Sequence, residues 1–139
     1  MTHIIRRERF NAAHRLFRKD WSDEKNLKVF GKCSNPNWHG HNYELYVTVA
    51  GEIDQETGFV INLKDLSKII KNKVIDKMDH SNLNLDVDFM KGRITSAENI
   101  AEAIWGELEE DIKAIGGTLY CVRLLETENN IVDYTTFLP

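Results

Sequence analysis

The sequence predicts an α+β domain in which two helices cover one face of an antiparallel sheet. Three observations lead there. Residues 39–50, HGHNYELYVTVA, alternate in polarity with the period of a half-buried strand. Two segments, 63–78 and 97–115, each carry a single apolar stripe at three- and four-residue spacing, so each helix has one face to bury. Strand-like runs precede the first helix and follow the second, in the order strand, strand, helix, helix, strand, strand. With 139 residues, 42% of them hydrophobic, one domain spanning 1–139 is expected to build its own core.

The elements follow in order. Residues 3–14 read as a strand in which Phe10, Ala12 and His14 share one parity. Residues 15–38 are polar and turn-rich without a clear period, and an insertion of that length in a compact domain is usually functional. The next strand sets His39, His41, Tyr43, Leu45, Val47 and Val49 on one face, and Glu44, Tyr46 and Thr48 on the other. DQETG, ending at Gly58, reads as a hairpin loop leading to a short FVIN strand. Asn62 is placed to cap a helix whose stripe is Leu63, Leu66, Ile69, Ile70, Val74 and Met78. The second helix carries Ile100, Ile104, Leu108 and Ile112, with Thr95 and Glu98 spaced as a capping box and Gly116-Gly117 as its stop. Strands over 118–126 and 131–137 close the chain, joined by the turn-prone ENN. Four strands leave open edges and one uncovered face, so self-association is expected.

The formal charge is −4, a balance that argues against a nucleic-acid or anionic-membrane partner. Cys33 and Cys121 lie far apart in unlike contexts and make no disulfide framework, which favours a reducing compartment. The opening MTHIIRRERF holds no apolar segment of signal length, and no run approaches the roughly 18 residues of a membrane span. A cytoplasmic protein is expected.

The chemistry concentrates in CSNPNWHGH, residues 33–41. On a strand His39 and His41 point the same way, and Gly40 keeps the backbone between them uncrowded. His14 ends the first strand, where antiparallel pairing can bring it beside them. Three neutral imidazoles with a fourth position open is the pattern of a catalytic zinc. Cys33, in a polar loop beside Lys32, has three readings: a base or nucleophile, a further metal ligand, or an ordinary loop residue. Asp79-His80, where the first apolar stripe stops, reads either as a proton-transfer pair or as a turn. Glu126 ends the row Tyr120, Val122, Leu124 and is either a buried carboxylate in need of partners or a solvated strand end. Arg15, Arg18, Lys19 and Lys32 are basic residues near this region.

At these residues the chain resembles the 6-pyruvoyl-tetrahydropterin synthase family. FNAAHRL, GKCSNPNWHGHNYEL, GFVINLKDL, MDHSNLN, TSAENIAEAIW and LLETENNIVDY occur in that family's order and spacing, nearly end to end. The resemblance implies a T-fold: a four-stranded antiparallel sheet with two helices on one face, closed into a β-barrel by trimers that pair as hexamers with active sites between subunits. It implies a lyase that takes 7,8-dihydroneopterin triphosphate to 6-pyruvoyl-tetrahydropterin with loss of triphosphate. It implies zinc on His14, His39 and His41, and a catalytic relay of Cys33, Asp79 and His80. Glu126 is implied as the pterin anchor with Thr127 beside it, and Glu98 as part of the pocket wall. Trp38 departs from the glycine usual before His-Gly-His, and Ser96-Ala97 from the usual threonine-containing pair. The second reading is the sister 6-carboxytetrahydropterin synthase of queuosine biosynthesis, which releases acetaldehyde from the same substrate. A non-catalytic zinc-binding assembly module is a third.

Overall fold

In a computed structural model that describes residues 1–137, the chain forms one five-stranded sheet with helices packed on one face. Strand β1 is Thr2–His14 and β2 is His39–Gly51. After the helices come β3, Ser81–Asn82, then β4, Thr118–Leu125, and β5, Ile131–Tyr134. The spatial order is β3-β1-β2-β4-β5. All neighbours are antiparallel except β3, which lies parallel to β1 with Ala12 opposite Ser81.

The expected four-stranded antiparallel sheet is therefore corrected to a mixed sheet of five. The physical reason is the open edge of β1, whose backbone groups need partners. The segment leaving the first long helix supplies them: His80 N–H donates to the Asn11 carbonyl at 2.7 Å, and Leu83 N–H to the Ala13 carbonyl at 2.8 Å. The FVIN strand does not form. Asp54 and Thr57 side chains take the local backbone donors of the preceding turn, and Asn62 already caps the next helix.

Helix α1, Asp23–Phe30, lies inside the stretch expected to be irregular. It has no apolar stripe, since Leu27 and Val29 face solvent. Its ends define it: Ser22 accepts from Lys25 N–H, acids fill the first turn, and Gly31 follows at φ 59°. Helix α2, Leu63–Ile70, runs through a π turn at Lys71–Ile75 into the short α3, Asp76–Met78. Leu66, Ile70, Val74 and Met78 are fully buried at uniform four-residue spacing. In an ideal α-helix that spacing drifts by about 40° per step, and the wider π turn returns the row to the sheet. Helix α4, Ala97–Ala114, is capped by Ser96, which accepts from Asn99 N–H, so the expected Thr95–Glu98 capping box is not the cap used.

The core lies between this face of the sheet and α2 and α4. Phe10 and Ala12 of β1 and Tyr43, Leu45, Val47 and Val49 of β2 all point into it, as the alternation predicts. On β4 the parity breaks: Leu119 is buried and Tyr120 is on the exposed side, because an irregularity between Thr48 and Val49 slips the register by one residue.

Candidate metal centre

The β1–β2 ladder sets His14 opposite His39 and Ala12 opposite His41. All three imidazoles are on the core-facing parity at the end of the sheet, and one ring nitrogen from each lies within 4.8 Å of the others. Small Ala12 leaves room across from His41. A Cβ on Gly40 would stand 3.2 Å from the Ala12 carbonyl oxygen, so the residue between the two histidines is held small by the neighbouring strand.

His14 is 1% exposed, and its Nδ1 bonds the Thr95 carbonyl at 2.8 Å. A carbonyl only accepts, so Nδ1 carries the proton and Nε2 presents a lone pair. His14 Nε2, both nitrogens of His39 and His41 Nε2 are buried without a hydrogen-bond partner among the described residues. Burial lowers the His14 imidazole to about 4, with the neighbouring His39 and His41 adding to the shift against the raising effect of the Thr95 bond. Burial also lowers His39, followed by the charge of His41. Buried and unpartnered imidazole nitrogens converging on one point, with the tautomer of one fixed by a carbonyl, fit a divalent metal.

Glu126 joins this group. The last paired rung between β2 and β4 is Glu44 opposite Leu125, and the next residue turns inward like Leu124. One carboxylate oxygen stands 3.9 Å from His14 Nε2 and the other 4.0 Å from His41 Nε2. Cys33 sits in a 3₁₀ turn, Gly31–Ser34, and is half-buried. Two bonds tie that turn to the chain just after His14: Leu16 N–H to the Cys33 carbonyl at 2.8 Å, and Arg15 Nε to the Ser34 carbonyl at 2.8 Å. Tyr43, fully buried, feels the charges of both Glu126 and Cys33, and burial is the first cause raising its phenol.

Asp79 and His80 are not among the side chains that converge at the three histidines. Asp79 Oδ2 is 3.0 Å from His80 Nδ1, and Asp79 Oδ1 accepts from Asn11 N–H at 2.9 Å. That backbone bond is the main cause holding the Asp79 carboxyl below its usual range. His80 has φ 59° and is largely exposed. It lines an open depression at this end of the sheet with Asn11, Ala12, Ala13, His41 and Asn42. No hydrogen bond joins Cys33 to either residue among the described residues. Glu98 is exposed on the first turn of α4. The Thr127 hydroxyl accepts from Asn129 and Asn130 N–H groups and so closes the β4–β5 turn.

A model of the 6-pyruvoyl tetrahydropterin synthase family matches residues 3–136. The chain belongs to this family. A human protein named 6-pyruvoyl tetrahydrobiopterin synthase is 49% identical over 131 residues, 94% of this chain and 89% of the relative, and a Pongo abelii protein of the same name is 50% identical over the same shares. The solved 6-pyruvoyl tetrahydropterin synthase of Caenorhabditis elegans superposes with a TM-score of 0.89 at 38% identity, covering 98% of this chain and 96% of that one. A Haemophilus influenzae 6-carboxy-5,6,7,8-tetrahydropterin synthase is only 28% identical, over 75% of this chain and 84% of the relative.

For a member of the 6-pyruvoyl tetrahydropterin synthase family, the structure adds Asn84, which the sequence reading did not single out, and gives Thr95, expected only as part of a capping box, a role beside the histidines. Thr95 is fully buried; its carbonyl orients His14, and its hydroxyl bonds the Arg15 carbonyl and Asn84. Asn84 in turn accepts from Arg15 N–H and donates to the Arg15 carbonyl. These contacts clamp the backbone one residue past His14. No periodic signal marks Asn84 or Thr95. Trp38 has φ 69°, a left-handed conformation that glycine adopts without strain and a bulky residue rarely takes.

Proposed function

We propose that the protein is a zinc-dependent carbon-oxygen lyase that converts 7,8-dihydroneopterin triphosphate to 6-pyruvoyl-tetrahydropterin with loss of triphosphate. The observation that carries this reading is the convergence of three unpartnered imidazoles, with His14 oriented by Thr95, in a chain nearly half identical to synthases of that name along 94% of its length. In this reading 1–139 is one catalytic domain.

His14, His39 and His41 hold the metal, and the choice of zinc follows from an all-imidazole donor set with a place left for substrate. The zinc ion would supply Lewis-acid polarisation of the substrate's side-chain oxygens. Glu126 accepts two hydrogen bonds from the pterin's amino group and adjacent ring N–H, which fixes the ring while the side chain reaches the histidines. Thr127 supports that end by closing its turn, and Glu98 contributes to the pocket wall. Cys33, near the same group of charges, takes the proton from the side-chain carbon. Asp79 holds the His80 tautomer and completes the relay. The overall change needs no external reductant, because the ring is reduced as the side chain is oxidised.

His80 is largely exposed beside the edge of β1, and this supports a homo-oligomer in which one subunit's Asp79-His80 serves a neighbour's Cys33. The assembly in this reading is a hexamer of two trimers whose sheets close as β-barrels. Among the described residues no helix is long and apolar enough to cross a membrane, and both cysteines are free thiols, which suits the cytoplasm. Mass spectrometry of the product formed from dihydroneopterin triphosphate by the zinc-loaded protein tests the reading. 6-Pyruvoyl-tetrahydropterin is the expected product. Acetaldehyde with a carboxylated pterin would instead assign the queuosine branch, and unchanged substrate in the presence of bound zinc would overturn the enzymatic reading.

A further inference from the structure

Tyr43 is a buried polar side chain that the reaction outlined above does not use. Its ring is fully buried and stacks on Phe10, with centroids 4.8 Å apart and planes inclined by 13°. It stands edge-on to His41 at 5.6 Å and to His14 at 6.1 Å. The hydroxyl is shielded from solvent and has no hydrogen-bond partner among the described residues. Everything the ring touches in this way is aromatic, so a phenylalanine would fill the space as well. The oxygen is a desolvation cost that packing does not explain.

Its position indicates what the hydroxyl serves. Glu126 follows the last β2–β4 rung and so comes opposite Tyr43 on the same face. The tyrosine thus stands beside two of the three metal-facing histidines with the carboxylate across from it on the same face, the groups against which a bound substrate would lie.

We propose that the Tyr43 hydroxyl is a catalytic hydrogen-bond donor to the side-chain oxygen of a pterin bound at the three histidines. This rests on the functional reading above. Once the side-chain carbon bearing that oxygen has become a carbonyl at the ring's expense, the neighbouring carbon loses its proton to Cys33, the electron pair of that C–H bond moves to the oxygen as an enolate, and a donor fixed in a dry site strengthens with the growing charge. The phenol keeps its own proton throughout, so the proton balance is unchanged: carbon to sulfur.

The test is Tyr43→Phe in the full-length, zinc-loaded protein. The melting temperature and metal content are expected to match wild type or, for the melting temperature, to exceed it. Affinity for neopterin, which carries a trihydroxypropyl side chain, should weaken about tenfold, as for one lost hydrogen bond. Affinity for unsubstituted pterin should not change, and kcat should fall on the order of 10²-fold. Equal neopterin affinity and equal kcat in the variant would overturn the proposal. So would a lower melting temperature with loss of metal, which would make the hydroxyl structural. Wild-type protein that binds neither pterin would overturn the functional reading itself, whereas an indifferent variant of a pterin-binding wild type overturns this proposal alone.

Discussion

Acid should destabilise the metal-free protein through His14. The imidazole is 1% exposed and lowered from the ordinary value of 6.5 to about 4. The groups facing it are His39 and His41 from β2 and Glu126 beyond β4. A base whose folded value is depressed binds its proton more readily in the unfolded chain. Its contribution is fully present above pH 6.5 and is lost as pH falls towards 4. Linkage over that window gives about 2 kcal/mol lost between pH 7 and pH 5, and about 3 kcal/mol by pH 3.5. That is a large share of the 5–15 kcal/mol typical of a domain. Burial of His39 acts in the same direction. Urea unfolding of chelator-treated protein at pH 7, 6 and 5 measures the effect. His14→Asn isolates it, because an asparagine amide can still donate to the Thr95 carbonyl but does not titrate. The pH dependence should be flatter in the variant by about 2 kcal/mol between pH 7 and 5. Identical slopes in wild type and His14→Asn would refute the reasoning.

Two further substitutions separate the roles of the groups around the histidines. Cys33→Ala should retain metal and assembly state while turnover falls on the order of 10²–10⁴-fold, the range of a lost general base; metal loss measured by atomic absorption would instead make Cys33 a ligand. Glu126→Gln should weaken binding of a pterin analogue more than it weakens metal binding. Since the carboxylate stands 3.9–4.0 Å from two imidazole nitrogens, parallel loss of both would identify Glu126 as part of the metal's own shell.

What the sequence made legible was governed by parity. The rows Phe10, Ala12, His14 and His39 through Val49 follow from period two alone, and the observed register brings the three histidines together. Stripes at helical spacing located α2 and α4 for the same reason. Features without a period were hidden. Helix α1 buries only Asn26, so its signal lay entirely in Ser22, the acids after it and Gly31. The short β3 exists because β1 has an unpaired edge, which is a property of the assembled sheet and not of residues 81–82. By period two Tyr120 shares a row with Val122 and Leu124, yet it lies on the exposed side while they are buried, because one slipped rung reverses every parity inference beyond it. Asn84 and Thr95 act here through polar contacts between distant segments, which no local pattern announces.

The row that builds the core also builds the site, and the two demands conflict. Along β2 the inward residues are Val49, Val47, Leu45 and Tyr43, then His41 and His39 where the helices give way to the 15–38 insertion. A leucine at the last rung would continue the apolar series. Histidine there buries two ring nitrogens that no protein group satisfies among the described residues. Each unsatisfied buried group costs about 1–3 kcal/mol, and a bound metal relieves that cost for the nitrogen it takes. His39→Leu should therefore raise the urea midpoint of metal-free protein while abolishing high-affinity metal binding. A lower midpoint for the metal-free variant would mean that His39 is held for packing, and the argument that this rung is spent on function against stability would fail.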